Sequence, residues 1–120
     1  MDRRKVLGEQ GEALAAGYLR AQGMEILERN WRCPGLGEID IVARDGEWLV
    51  VCEVKTRSGT GFGDPLEAVT REKFVRLRRL AAAWLGSHEV RPAGVRIDLV
   101  GVLHPPGEPP VLRHVRAVAP

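Results

Sequence analysis

Residues 38–55 constrain this chain more than any others. Glu38 to Arg44 and Trp48 to Lys55 are apolar runs of strand length joined by Asp45-Gly46, a pair that favours a tight turn because glycine reaches positive φ freely. A hairpin is expected here, and its apolar faces require cover from the rest of the chain. Three charged groups interrupt the pattern: Asp40, then Glu53 thirteen positions later, and Lys55 two beyond that. Charges seldom enter such runs without a partner, because desolvating an unpaired one is costly.

Side chains alternate along a strand, so Glu38 and Asp40 are expected on one face and Ile39, Ile41 and Ala43 on the other. With Asp45 and Gly46 as the loop, Arg44 opposes Glu47, Val51 faces Asp40 and Glu53 faces Glu38. Asp40 and Glu53 then become diagonal neighbours on one face, roughly 7–8 Å apart at the backbone, with Lys55 projecting from the same side. A slip of one residue would part them. Hard carboxylate oxygens suit Mg²⁺ or Mn²⁺, which activate water against a phosphodiester, and an ammonium beside them can orient that water, transfer a proton or offset charge on phosphorus. An ion-paired trio at a strand end accounts for the same spacing, and the residues leave both readings open. Glu38 opposite Glu53 is a like-charge pair, which favours an intervening cation.

The rest of the chain reads as one domain over residues 1–120, long enough for a core without disulfide or metal staples. Residues 2–22 read as a helix with Leu7, Gly11, Leu14 and Tyr18 on one stripe and Gly23 as its stop. Met24 to Trp31 reads as a strand. Thr56 to Asp64 reads as a glycine-rich loop, and Asp64-Pro65 as the start of a second helix running to about Leu85. Gly94 to Leu103 and Val111 to Val118 read as two more strands, divided by a proline-rich breaker. The order α-β-β-β-α-β-β calls for an α/β fold, a mixed five-stranded sheet flanked by helices.

Composition excludes some functions. With 44% apolar and 28% charged residues the chain is ordinary for a globular protein, and no run approaches the roughly 20 apolar residues of a membrane span. The charged start, Met-Asp-Arg-Arg-Lys, leads into a polar helix and not a signal sequence, so a cytoplasmic location and no membrane partner are expected. Cys33 and Cys52 form no Cys-x-x-Cys pair and read as reduced thiols; the scattered His88, His104 and His114 offer no metal spacing. Asp98 interrupts an apolar strand, where a buried hydrogen-bonded or ion-paired role is favoured over metal binding. Net charge is only +2, so any nucleic-acid surface has to come from local clusters such as Arg71, Lys73 and Arg76. Glu12, one position past Gly11, lies at the edge of the first helix's buried stripe and can point toward the sheet.

Taken together, Gly8-Glu9-Gln10-Gly11-Glu12-Ala13, Tyr18-Leu19, Gly23, Arg29-Asn30-Trp31-Arg32, Gly37-Glu38-Ile39-Asp40-Ile41-Val42, Glu53-Val54-Lys55-Thr56-Arg57 and Lys73 resemble the uncharacterised bacterial YraN-type family, over about residues 5–103. That family looks like a branch of the restriction-endonuclease-like superfamily, similar to archaeal Holliday-junction resolvases. The resemblance implies that Asp40 and Glu53 are metal-binding acids, that Lys55 is the catalytic lysine, and that Glu12 is a helix-borne acid beside the metal. It further implies a Mg²⁺- or Mn²⁺-dependent endonuclease acting on DNA more than RNA, on branched or otherwise structured substrates in recombination or repair. A homodimer follows by analogy with resolvases that cut paired strands. The usual proline before the first acid is replaced by Ile39. Arg57, Arg71, Lys73 and Arg76 are the expected nucleic-acid contacts, with Phe62 in the loop available for stacking or packing. The competing reading is a non-catalytic nucleic-acid-binding or adaptor module that keeps the fold.

Overall fold

A computed structural model describes residues 2–59 and 69–119. The elements run α1 (Arg3–Ala21), β1 (Glu25–Cys33), β2 (Gly37–Asp45), β3 (Trp48–Arg57), α2 (Arg71–Gly86), β4 (Gly94–Leu103) and β5 (Val111–Val115). The five strands form one mixed sheet in the order β1-β2-β3-β4-β5, with β3 and β4 parallel and every other pair antiparallel. The expected α/β class, element order and strand count all hold.

The apolar residues divide between two cores. On one face Ala15, Ala16 and Leu19 of α1 pack on Ile41, Ala43, Val50, Cys52, Val100 and Val102. On the other, Leu77, Leu80, Ala81 and Trp84 of α2 pack on Ile39, Val42, Leu49, Val51 and Ile97. A sheet covered on both faces explains why the central strands read as near-continuous apolar runs.

Helix α1 begins at Asp2, whose carboxylate accepts the Arg4 N–H at 2.9 Å, and closes in a Schellman motif. Gly23 stands at φ +92, the Met24 N–H reaches the Leu19 carbonyl at 3.0 Å, and the Gly23 N–H reaches Arg20 at 2.9 Å. The helix approaches β3 closely at Gly11. A Cβ there would overlap Thr56 Oγ1 and lie 2.9 Å from both Thr56 Cβ and Cγ2. Alanine has the better helix propensity by about 0.8–1 kcal/mol, but overpacking costs about 1–3 kcal/mol, so the clash decides the sign. Gly11→Ala is expected to lower stability in urea melts, and Thr56→Ala to recover part of the loss. Additive effects of the two changes would remove the clash as the cause.

Three boundaries differ from the sequence reading. Val69 and Thr70 precede α2, and Thr70 Oγ1 caps it by accepting the Lys73 N–H at 3.1 Å; Asp64 and Pro65, where the helix was expected to begin, and Phe62 lie outside the described residues. Strand β1 extends to Cys33, with a bulge between Ile26 and Glu28. Strand β5 stops at Val115 because the chain turns inward after it: Ala117 adopts φ +51 and its N–H bonds Asp98 Oδ1 at 3.0 Å, while the Val118 N–H reaches the Ile97 carbonyl at 2.8 Å.

Asp98 is fully buried and hydrogen-bonded, as expected. Arg96 grips it through Nε at 2.9 Å and Nη2 at 3.1 Å, and His114 Nε2 lies 2.8 Å from its Oδ2. Arg96 also reaches Asp45 at 3.0 Å, and the far His114 nitrogen lies 3.2 Å from the Tyr18 hydroxyl. The network joins α1, β2, β4 and β5. On the opposite face Trp84 Nε1 donates to Glu28 Oε1 at 2.9 Å, and His88 stacks on Trp84 with ring centroids 4.0 Å apart, fastening α2 to β1.

Candidate functional site

The hairpin register differs from the expected one by two residues. Asp45 pairs with Trp48 and Ile41 with Cys52, so Gly46 and Glu47 are the loop residues. Gly46 takes φ +60 at the first central position while Glu47 stays outside the left-handed region, the φ pattern of a type II′ turn. An even shift preserves the side-chain parity of β3, but it removes the diagonal relation between Asp40 and Glu53. Continued one step past Ile41 and Cys52, the register sets Asp40 level with Glu53, not with Val51.

The ladder ends at that step, and β2 and β3 part. Past the last pair, Asp40 Oδ2 accepts the Val54 N–H at 2.8 Å, so a side chain takes over from the backbone at the fork. Strand N–H groups point along the sheet plane, which places this carboxylate oxygen between the two faces. Alternation fails at the same point: Ile41 and Ala43 pack under α1, whereas Ile39 packs with Val42 under α2. The expectation that Ile39, Ile41 and Ala43 share a face, and that Asp40 and Glu53 share the other, is corrected accordingly.

Asp40 lines a cleft of about 630 Å³ on the α1 side together with Glu12, Gly8, Val54, Thr56 and Arg57. Glu53 leans toward α2, where its Oε2 meets Lys73 Nζ at 2.8 Å. That oxygen is buried and makes no hydrogen bond among the described residues, so its tie to Lys73 is an ion pair without hydrogen-bond alignment. The acids therefore approach the fork from opposite sides, and their charges reach one another there.

Asp40 is pushed up from 3.8 to about 7 by burial first, with the charges of Glu12, Glu53 and Glu38 adding to it against the Val54 hydrogen bond. Glu12 is also raised, by burial above all; Arg29 opposes this, while Glu38 and Glu9 reinforce it. Lys55 is lowered, chiefly by the neighbouring Lys73 ammonium and then by burial, with Glu53 opposing. Two ammonium groups and at least four carboxylates thus share one end of the sheet.

The expected site residues are linked in a chain of neighbouring charges, Glu12 to Asp40, Asp40 to Glu53 and Glu53 to Lys55. Lys73 enters as the counterion of Glu53. Arg57 is exposed on the cleft, Arg71 is exposed in the first turn of α2, and Arg76 lies exposed alongside Gly37. Among the described residues no three His, Cys, Asp or Glu side chains form a ready-made metal cage. Mg²⁺ does not require one, since it is usually held by one or two carboxylates with water and substrate phosphate completing its shell. Hard oxygen donors around an acid raised by burial first and then by its acidic neighbours fit such an ion.

Asn30 carries a part that sequence reasoning missed. It sits in β1 at φ +54, uncommon for a residue other than glycine. With its amide nitrogen turned toward the acids, it donates to Glu12 Oε1 at 2.6 Å and Glu38 Oε1 at 3.1 Å. One side chain thereby ties the helix acid to β2. The signal available in sequence was modest: asparagine tolerates the left-handed region better than most residues.

Residues 11–102 match the model of a family described as "Uncharacterised protein family UPF0102". A UPF0102 protein of Streptomyces coelicolor is 58% identical over 99% of this chain and 92% of its own length. Another from Streptomyces griseus is 57% identical over 99% of this chain and 100% of its own, and one from Beutenbergia cavernae is 52% identical over 98% and 99%. The YraN-type resemblance is borne out. No helix among the described residues is long and apolar enough to cross a membrane.

Proposed function

We propose that this chain, which belongs to the uncharacterised protein family UPF0102, is a metal-dependent endonuclease acting on DNA, on branched or otherwise structured substrates in recombination or repair. The observation that carries the reading is the fork itself. Glu12 of α1 and Asp40 of β2 line an open cleft where the strands part, and Glu53 and Lys55 of β3 stand just past the fork toward Lys73 of α2. Asp40 and Glu53 would hold Mg²⁺ or Mn²⁺, with Glu12 on the α1 side. Such an ion holds a phosphate oxygen and acidifies bound water.

The chain's own groups do the rest. Asp40 has to give up its proton to serve as a ligand, so metal binding is expected to strengthen as pH rises through about 7. Lys55, held below its ordinary value, gives up a proton more readily than an exposed lysine does, which suits it to proton transfer or to charge on phosphorus. A homodimer belongs to the proposal by analogy with resolvases that cut paired strands.

The competing reading, a binding or adaptor module that cuts nothing, draws on the Lys73–Glu53 ion pair, which neutralises Glu53 without a metal ion. Labelled duplex, single strand, flap and four-way junction incubated with Mn²⁺ separate the two. Glu53→Gln and Lys55→Ala are each expected to lower cleavage by about 10²-fold or more. Cleavage unchanged in both variants, or none in the wild type on any substrate, would sink the nuclease reading.

A further inference from the structure

We propose that one DNA strand leaves the candidate site along α1, through a basic groove that ends at the β4–β5 connection. Only the groove's inner end rests on the nuclease reading; its outer part stands on its own lining. The cleft holding Glu12 and Asp40 continues into a second hollow of about 500 Å³, and the two share Arg4, Leu7 and Ser58. The outer hollow is lined by Arg3, Arg4 and His104, with no acid among the described residues that line it, and Arg57 stands on the inner cleft. Glu12 and Asp40 lie at the inner end with Arg4 and Arg57 beside them, and Arg3 and Arg4 line the outer end. A phosphodiester chain needs this layout if one phosphate is to meet a metal while its neighbours meet guanidinium groups.

The first turn of α1 adds Arg3 and Arg4 behind the Asp2 cap, so two guanidinium groups stand at the outer end of the path. The far wall is fixed. Pro105 and Pro106 stiffen it, and the His104 N–H ties it to the Arg57 carbonyl at 2.8 Å. From Glu12 back to Arg3 the helix rises about 13 Å, the rise of roughly four nucleotides of one strand. The basic face expected on α2 is the poorer track, because Lys73 is engaged by Glu53.

Fluorescence anisotropy with a labelled DNA 20-mer in Ca²⁺, across a NaCl series, tests this. Arg3→Ala with Arg4→Ala is expected to weaken binding about tenfold and to flatten the salt slope by about one to two. Arg20→Ala, on the same helix but about 25 Å away, is expected to change binding less than twofold. Equal loss in the two proteins, loss confined to Arg71→Ala with Arg76→Ala, binding of RNA alone, or no binding by the wild type would each overturn the groove. Binding that depends on Arg3 and Arg4 without any Mn²⁺ cleavage would keep the groove and end the nuclease reading. Cleavage with kcat/KM indifferent to both arginines would do the reverse.

Discussion

Asp40→Asn is expected to give a protein that folds better above neutral pH and cuts about 10³-fold more slowly, a loss of the size seen when preorganised electrostatic groups are removed from an active site. In the wild type without metal, Asp40 keeps its proton in the fold up to about pH 7, whereas the unfolded chain releases it near 3.8. A folded pKa above the unfolded one gives stability that is fully present below pH 4 and is lost as pH rises through 7. At about 1.4 kcal/mol per pKa unit, the loss is on the order of 4 kcal/mol. Asparagine keeps an acceptor for the Val54 N–H and carries no charge, so the variant should show a much flatter profile, with Glu12 supplying what slope remains. Divalent cation should restore the wild type at pH 8, by about 2.7 kcal/mol at a hundred times Kd, and leave the variant unmoved. Urea melts at pH 4.5 and 8, with and without Mn²⁺, read both effects. A variant as pH-sensitive as the wild type, or as active, would remove Asp40 from the centre of the site.

The second large effect is structural. Asp98→Ala is expected to cost about 3–5 kcal/mol, because it strands Arg96, His114 and the Ala117 N–H without their shared acceptor. Typical domains have only 5–15 kcal/mol in total. Burial alone would raise the Asp98 carboxyl, but His114, Arg96 and the Ala117 N–H more than offset it and hold the group below its usual range. Its contribution is therefore complete above pH 4 and lost as pH falls further, the opposite window to Asp40. Asp98→Asn, which keeps the shape and loses the charge, should fall between wild type and alanine. A denaturation midpoint unchanged in both variants would show that the network adds nothing to stability.

How much of this was legible follows from the range of each interaction. Asp40, Glu53 and Lys55 stood out because each breaks an apolar run, a purely local signal. Their register did not, because Asp45-Gly46 and Gly46-Glu47 are both acceptable loops and only strand pairing decides between them. The loss of alternation at Asp40 comes from the packing of Ile39 against α2, which no property of Ile39 announces. Asp64-Pro65 drew the expected helix start away from Thr70, which caps α2. Asp98 was legible as buried, but its partner His114 was not, since the two meet only across β4 and β5. Lys73 and Glu53 are twenty residues apart and meet only because α2 returns over the sheet.

Strand order in the sheet repeats strand order along the chain. Three of the four joins are between strands that follow one another directly, and only β3 to β4 is closed by a long excursion that includes α2. The entropy of bringing distant segments together is concentrated at that one seam. Glu12, Asn30, Asp40, Glu53 and Lys55 all lie before it, so the acids and Lys55 belong to a stretch whose own strand pairs are joined by short connections.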